Sequence, residues 1–397
     1  MKRKIYVWPV CIRTFHWLYA FSFSAAFILL WFENLLKYHI ALGIFFFFLT
    51  LFRIFWGIIG PLYSNFRCFD LRGDHLINYV FHIFGHKDKT PGHNPGASWG
   101  AILMLIFASL TGISGVVLLG IQEGKGIFSF LNPYFYSYME GFYNFHAFSA
   151  YALLVIVCIH ILGVIFEHFY HHSGIIWSMF TGYKYALEGE SVKLNFMQNV
   201  FAAFFIFFSL FVFYYTLYKD ENFMTISRFQ PIDYEKNYPL LYEECGDCHI
   251  VFPAYLLPKR AWNAIMDTPE DHFGDELDLE PEDSKTIREY LVKNSGENST
   301  REAAVKILFS IKNKKDIISI VNTPYWKDTH RHIPKRVFKL KEIDSKYSCD
   351  ACHPDIVKGN IDDDNIRIPG VSFQESLKMH IFPKKVKSKE YNEEVVD

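Results

Sequence analysis

Two short motifs in the second half of the chain place cysteine and histidine at the same spacing, as CGDCH at 245–249 and CDACH at 349–353. A C-x-x-C-H box is how c-type haem is attached, with both thiols bonded to the haem and the histidine reaching the iron. The alternative is a pair of redox or zinc-binding C-x-x-C motifs, but the histidine that closes both boxes favours haem. We assign Cys245, Cys248 and His249 to one haem c, and Cys349, Cys352 and His353 to another.

Each covalent haem can take a sixth ligand, and the second half of the chain offers several. The candidates are Met266, His272, His330, His332 and His380. Methionine would raise the reduction potential and histidine would lower it. His272 suits the first haem. Spacing alone leaves His330 and His332 equally suited to the second.

A different pair of histidines lies in the apolar stretch 139–170. His146 and His160 are fourteen residues apart, which in a helix is about 40° short of four full turns and a rise of about 21 Å. They therefore share one helix face, near opposite surfaces of a bilayer core roughly 30 Å thick. Ionisable side chains at membrane depth are costly and usually functional, so the pair predicts two stacked cofactors; hydrogen-bonded core histidines are the alternative.

Two further histidines match this pair in depth. His16 begins the first predicted membrane helix and pairs with His160, while His39 begins the second and pairs with His146. Four histidines in two bis-histidine pairs suit two non-covalent b-type haems. Arg53 lies fourteen residues after His39, and an arginine at that depth favours an anionic partner such as a haem propionate; snorkelling to lipid headgroups is the alternative.

Long apolar stretches predict an all-α protein with five transmembrane helices, at about 12–33, 38–60, 98–120, 142–166 and 197–218. A mostly helical dihaem c-type cytochrome domain follows the five-helix bundle. The expected divisions are a cytochrome b membrane domain at 1–196, a fifth membrane helix at 197–220, a linker at 221–240, the dihaem domain at 241–382 and a disordered tail at 383–397.

Charge indicates orientation and excludes one class of partner. The formal net charge is −2, and residues 221–397 carry a mildly acidic, mixed surface that argues against nucleic acid. Basic residues concentrate at the N-terminus and in the loops that share its side. The positive-inside rule then places the N-terminus in the cytoplasm and, after five crossings of the bacterial inner membrane, the C-terminal domain in the periplasm. Haem c is attached in that compartment.

Residues 1 to about 190 resemble the bacterial cytochrome b561 family, which includes the b-type subunit of nickel–iron hydrogenases. The resemblance implies a bundle with two b-haems that exchanges electrons with quinone. It is carried by Arg13-Thr14-Phe15-His16-Trp17, His39 with Arg53, Trp56-Gly57, Gly92-His93-Asn94-Pro95, His146 and His160.

Residues from about 238 to 370 resemble the dihaem cytochrome c family known as DHC. The resemblance favours His272 and His330 as the distal ligands. It is carried by both C-x-x-C-H boxes, Leu257-Pro258, Trp262, the DHFG around His272, Thr323-Pro324-Tyr325-Trp326 and His330-Arg331.

These features predict electron transfer between the quinone pool and a periplasmic cytochrome or oxidoreductase, with quinol oxidation as the leading direction. Three alternatives remain: the reverse flow, an electron-transfer or anchoring subunit of a larger oxidoreductase or hydrogenase complex, and a transmembrane ferric reductase. Glu167 and His168, followed by His171 and His172, are candidates to take quinol protons; a polar helix end and a solvated loop would look the same.

Overall fold

The computed structural model describes residues 3–30, 35–85, 92–186, 189–219, 222–343, 345–372 and 375. Its α-helices in chain order are α1 (Val10–Leu29), α2 (Leu36–Ile59), α3 (Gly73–Phe81), α4 (Pro95–Gln122), α5 (Asn132–Phe135), α6 (Met139–Phe169), α7 (Ile175–Thr181), α8 (Phe196–Tyr218), α9 (Tyr234–Asn237), α10 (Pro239–Gly246), α11 (Lys259–Asp267), α12 (Pro281–Lys293), α13 (Glu302–Ser310) and α14 (Pro324–Thr329). Two short strands, β1 (Arg3–Tyr6) and β2 (Tyr183–Ala186), pair antiparallel.

The first half forms a bundle in which α2 is central, with α1, α4 and α8 packed around it and α6 packed on α4. Four described segments are long and apolar enough to cross a membrane: Leu36–Ile59, Pro95–Gln122, Ser129–Phe169 and Phe196–Tyr218, with mean hydropathies of 2.2 to 2.5. The 20-residue α1 lies along α2 and completes the bundle. The predicted all-α fold with a five-helix bundle is confirmed.

Local sequence explains where the long helices begin. Asn94 caps α4 by accepting from the backbone N–H of Ala97, and Pro95 follows at the first position, where its missing N–H costs nothing. The start of α8 has a reciprocal capping box between Asn195 and Gln198. Capping matters at these ends because a bilayer core offers no water to satisfy free backbone groups.

The two strands mark one face of the bundle. Because β1 pairs with β2, the N-terminal segment lies beside the segment that follows α7. The N–H of Val192 also donates to the carbonyl of Tyr6, which extends this contact to the segment before α8. The soluble domain contacts the opposite face, where α4 ends.

Two apolar clusters build the soluble domain, one around each C-x-x-C-H box. The first joins α11 and α12 through Trp262, Ile265 and Ile287. The second gathers the side chains around α13, including Ile307. Ile320 packs against both clusters, so the two halves form one continuous core.

The predicted linker at 221–240 is hydrogen-bonded where it leaves the bundle. The N–H of Gly126 donates to the carbonyl of Ile226 at 2.9 Å, and the N–H of Arg228 donates to the carbonyl of Gly124 at 2.9 Å. Both glycines have positive φ, and a Cβ on Gly126 would lie 2.4 Å from the carbonyl oxygen of Met224. The linker is therefore anchored to the loop after α4. The predicted tail at 383–397 and His380 lie outside the described residues.

Candidate haem centres

The first C-x-x-C-H box begins in the last turn of α10. The imidazoles of His249 and His272 face each other with ring centroids 6.2 Å apart. Nδ1 of His249 donates to the carbonyl oxygen of Ile250 at 2.7 Å, which leaves Nε2 for a metal. His272 is held in a tight turn by a backbone hydrogen bond to Asp275 at 2.7 Å, and the turn continues through Phe273 at φ 57°.

The second box lies in a 3-10 turn, Cys349–Ala351, on one wall of a cavity. His353 faces His330 across it, with ring centroids 6.1 Å apart. Nδ1 of His330 donates to the carbonyl oxygen of Trp326 at 2.9 Å, and the Trp326 ring stacks on the imidazole at 4.4 Å. His332 also lines this cavity, but it is His330 that is held against His353.

These separations suit one metal ion between each pair. A metal–imidazole bond is about 2 Å long, and the ring centre lies roughly 1 Å beyond the nitrogen. Two imidazoles on opposite sides of one ion therefore have centroids about 6 Å apart. Met266, on α11, does not compete with His272 as the distal ligand of the first site, because its side chain is buried in the first apolar cluster.

The bundle holds a third pair with the same geometry. His39 on α2 and His146 on α6 have ring centroids 6.3 Å apart. Nδ1 of His39 donates to the carbonyl oxygen of Ala26 at 2.8 Å. Nδ1 of His146 lies 3.1 Å from the carbonyl oxygen of Thr111 and 3.0 Å from the hydroxyl of Ser114, both on α4. We call this pair the outer site, because it lies toward the face that contacts the soluble domain.

The fourth pair, His16 on α1 and His160 on α6, lies toward the strand face and is called the inner site. Arg53 lies toward the same face on α2, and its guanidinium carbon is 5.1 Å from the Phe66 ring centroid and 5.8 Å from the Phe69 ring centroid. The structure thus brings His39 and His146 together and places His16 and His160 toward the other face of the bundle.

Buried polar atoms without a protein partner test whether a ligand fits. In the bundle these include Nδ1 of His16 and Nη1 of Arg53, and in the soluble domain Nδ1 of His272 and Nδ1 of His353. An unsatisfied buried polar atom costs about 1–3 kcal/mol. The guanidinium near the inner site suits an anionic group such as a carboxylate, so this environment fits haem with its propionates.

The soluble-domain sites also favour the neutral, metal-binding form of histidine. Burial, followed by the nearby His330, lowers the pKa of His353 to about 4. Burial likewise lowers the pKa values of His272 and His330. Neutral imidazole is the form that ligates a metal, so the lowered pKa values of these three histidines favour metal binding.

Sequence reasoning missed the part of α4 that supports the outer site. A Cβ on Gly115 would lie 3.0 Å from Cε1 of His146, so only glycine lets α4 approach the imidazole this closely. Ser114 is buried beside it. The small residues of α4 are a signal for close helix approach, but they do not reveal which side chain on another helix is the neighbour.

The proposed quinol-proton residues lie at the C-terminal end of α6. Glu167 is buried at 7% exposure, and its carbonyl oxygen accepts from the hydroxyl of Ser173 at 2.9 Å. Nδ1 of His168 is among the buried atoms without a partner. His171 bonds the carbonyl oxygen of Ile83 at 2.9 Å, and His172 has a positive φ of 54°. Glu167 is therefore the most enclosed of the four candidates.

Comparison with known proteins divides the chain as the sites do. Residues 7–182 match the family model described as prokaryotic cytochrome b561, and residues 241–361 match the model described as dihaem cytochrome c. The diheme cytochrome c from Rhodobacter sphaeroides is 29% identical over 32% of this chain and 94% of that chain, with a TM-score of 0.27. The diheme cytochrome type c from Shewanella baltica OS155 is 31% identical over 33% of this chain and 92% of that chain, with a TM-score of 0.27. No curated protein matches the chain.

The fold and the sites define a multi-pass membrane protein that transfers electrons by means of haem, with two haems in its soluble domain. The chain is a fusion of a prokaryotic cytochrome b561 domain with a dihaem cytochrome c domain.

Proposed function

We propose that eight histidines ligate four haem irons in pairs. His16 with His160 and His39 with His146 hold two non-covalent b-haems, while His249 with His272 and His330 with His353 complete two c-haems fixed by the four cysteines of the boxes. Support comes from the centroid separations of 6.1 to 6.3 Å in three pairs and from the depth match of the fourth. Bound haem supplies reversible one-electron chemistry.

The chain's own residues position and tune these groups. Backbone carbonyls accept from the Nδ1 atoms of four of the histidines, which would leave Nε2 of each to ligate iron and would raise the ligand's basicity. Arg53 would pair with a haem propionate at the inner site; its orphaned Nη1 supports this role.

The function that these sites support best is quinol oxidation in the bacterial inner membrane. A quinol loses two electrons and two protons and becomes a quinone. Haem held by the histidine pairs would accept these electrons one at a time, and a periplasmic cytochrome or oxidoreductase would take them up in two one-electron steps. The observation that carries this proposal is a membrane bundle with histidine pairs at two depths. The dihaem domain adjoins the bundle on the face nearer the outer site.

A membrane quinol also needs groups that accept its protons. Glu167 and His168 are the proposed acceptors, because they combine a buried carboxyl group with an orphaned imidazole nitrogen at the end of the helix that carries both membrane histidines. The positive-inside pattern puts these residues on the cytoplasmic side and the soluble domain in the periplasm.

The test is an anaerobic visible spectrum of the purified full chain before and after addition of a menaquinol analogue. We expect both b-type and c-type bands to become reduced. If dithionite reduces every haem and quinol reduces none, quinol oxidation is wrong. Reduction of added quinone by a reduced periplasmic donor would then identify the reverse flow.

A further inference from the structure

The two c-type sites are not equivalent with respect to the membrane. Chain order would place the first box nearer the bundle, because it follows the last membrane helix within about thirty residues. Nevertheless, the contacts described between residues up to 230 and the soluble domain fall on 300–306 and 362–365, which belong to the second site's half.

One of these contacts is an ion pair that holds the loop after α4. Nζ of Lys125 lies 2.6 Å from Oδ1 of Asp362, and the lysine side chain is only 9% exposed. The chain two residues after segment 362–365 is tied in turn to the second box, because the N–H of Arg367 donates to the carbonyl of Cys352 at 2.9 Å. A buried ion pair fixes register more than it adds stability, so it sets how the domain sits on the bundle.

A second contact reaches into the haem cavity itself. Gln122 and Glu123, at the end of α4, line the cavity that contains His330, Cys352 and His353. Nε2 of Gln122 lies 3.1 Å from Oε1 of Glu123 and 3.1 Å from Oε1 of Glu302, so one amide holds a carboxylate from each domain. The wall of the second site is therefore partly made by the membrane domain.

The same helix supports the outer membrane site. Ser114, bonded to His146, lies eight residues before Gln122, which corresponds to about 12 Å along a helix. Helix α4 thus touches the outer site two turns before its end and the second c-type site at its end. At the first c-type site Cys248 is exposed, and Phe273, which follows His272 in the chain, is 58% exposed.

We propose that electrons cross between the bundle and the soluble domain at the second box, CDACH at 349–353, and that the first box, CGDCH at 245–249, is the exchange site for the soluble partner. The order along the molecule is inner site, outer site, second box, first box. Electron transfer slows steeply with distance, so the site that shares α4 with the membrane pair receives first. This inference rests on the proposed haem ligation and deepens the proposed function.

The test uses matched distal-ligand variants of the full chain, His330→Met and His272→Met, each of which keeps its haem and raises the potential of one c-site. Equilibrium redox titration with chemical mediators, without quinol, reports the midpoint of each haem. We expect His330→Met to shift the midpoint of the outer b-haem and His272→Met to leave it unchanged. A shift with His272→Met alone would overturn the order.

A kinetic measurement covers variants that lose a haem. With Cys349→Ala/Cys352→Ala, rapid reduction of the b-haems should leave the remaining c-haem oxidised; with Cys245→Ala/Cys248→Ala, the remaining c-haem should be reduced at the wild-type rate. Equal rates in both variants would contradict the order. Failure of quinol to reduce the wild-type protein would reject quinol oxidation, while the mediated titration would still decide the order.

Discussion

The approach of α4 to His146 makes Gly115 a sensitive test of the outer haem site. A Cβ at this position would lie 3.0 Å from Cε1 of the imidazole. Non-bonded carbon atoms prefer separations of about 3.5–4.0 Å. Alanine therefore has to push the ring by about 0.5 Å or more, and valine, with a further pair of methyl groups, pushes it further.

A metal site tolerates much less than this. Ligand distances stay within about 0.2 Å of their normal values, and the centroids of His39 and His146 are already at the separation that one iron spans. Overpacking typically costs about 1–3 kcal/mol, equivalent to roughly 5- to 150-fold weaker haem binding at this site. Gly115→Val should therefore lose most of the outer b-haem and keep the inner one.

The assay is a haem count per chain on the purified variant, with b-type and c-type haem measured separately from reduced spectra. Gly141→Val is the matched control, because Gly141 lies on α6, is exposed, and a Cβ added there would meet no heavy atom within 4 Å. The control should retain both b-haems. If Gly115→Val binds two b-haems with unchanged spectra, the close packing of α4 on His146 does not define the site.

Four further outcomes are expected. His146→Ala should remove one b-haem and keep both c-haems, whereas Cys352→Ala should release only the second covalent haem; a haem count checks both. Burial and the Glu302 carboxylate raise the pKa of Glu123 in the folded protein well above its usual value. The free energy of unfolding therefore falls as the pH rises from the pKa of Glu123 in the unfolded chain to its raised pKa in the folded protein. In Glu123→Gln, the thermal-unfolding midpoint should fall less steeply over this pH range than in the wild-type protein. An unchanged pH dependence of the midpoint would contradict this role of Glu123. Residues 267–283 carry nine acidic side chains and no lysine or arginine, so reduction of a basic acceptor protein should slow as salt rises; stopped-flow rates at several ionic strengths test this.

Both kinds of candidate haem site could be proposed from sequence because their signals are local. The C-x-x-C-H boxes are contiguous, and covalent attachment requires that spacing. The membrane histidines were matched by helical rise and rotation, since a helix that crosses a bilayer has a known length and direction. The helices and their approximate bounds followed from apolar runs for the same reason.

Spacing in the sequence was not enough to identify which histidine faces the second box. His330 and His332 are two residues apart and equally placed by chain distance, but the structure stacks Trp326 on His330 and faces that imidazole toward His353. The turn that follows α14 decides this orientation, and a turn depends on contacts with other segments.

What the sequence by itself determined is the set of candidate cofactor-binding residues and the division into a membrane part and a soluble part, because these depend on motifs and on local periodicity. Only the tertiary structure decided how the parts meet: that Gly115 and Ser114 support His146, that Gln122 bridges Glu123 and Glu302, and that the second box rather than the first adjoins the bundle. These contacts join residues far apart in the chain, and their geometry is fixed by packing, which no local pattern encodes.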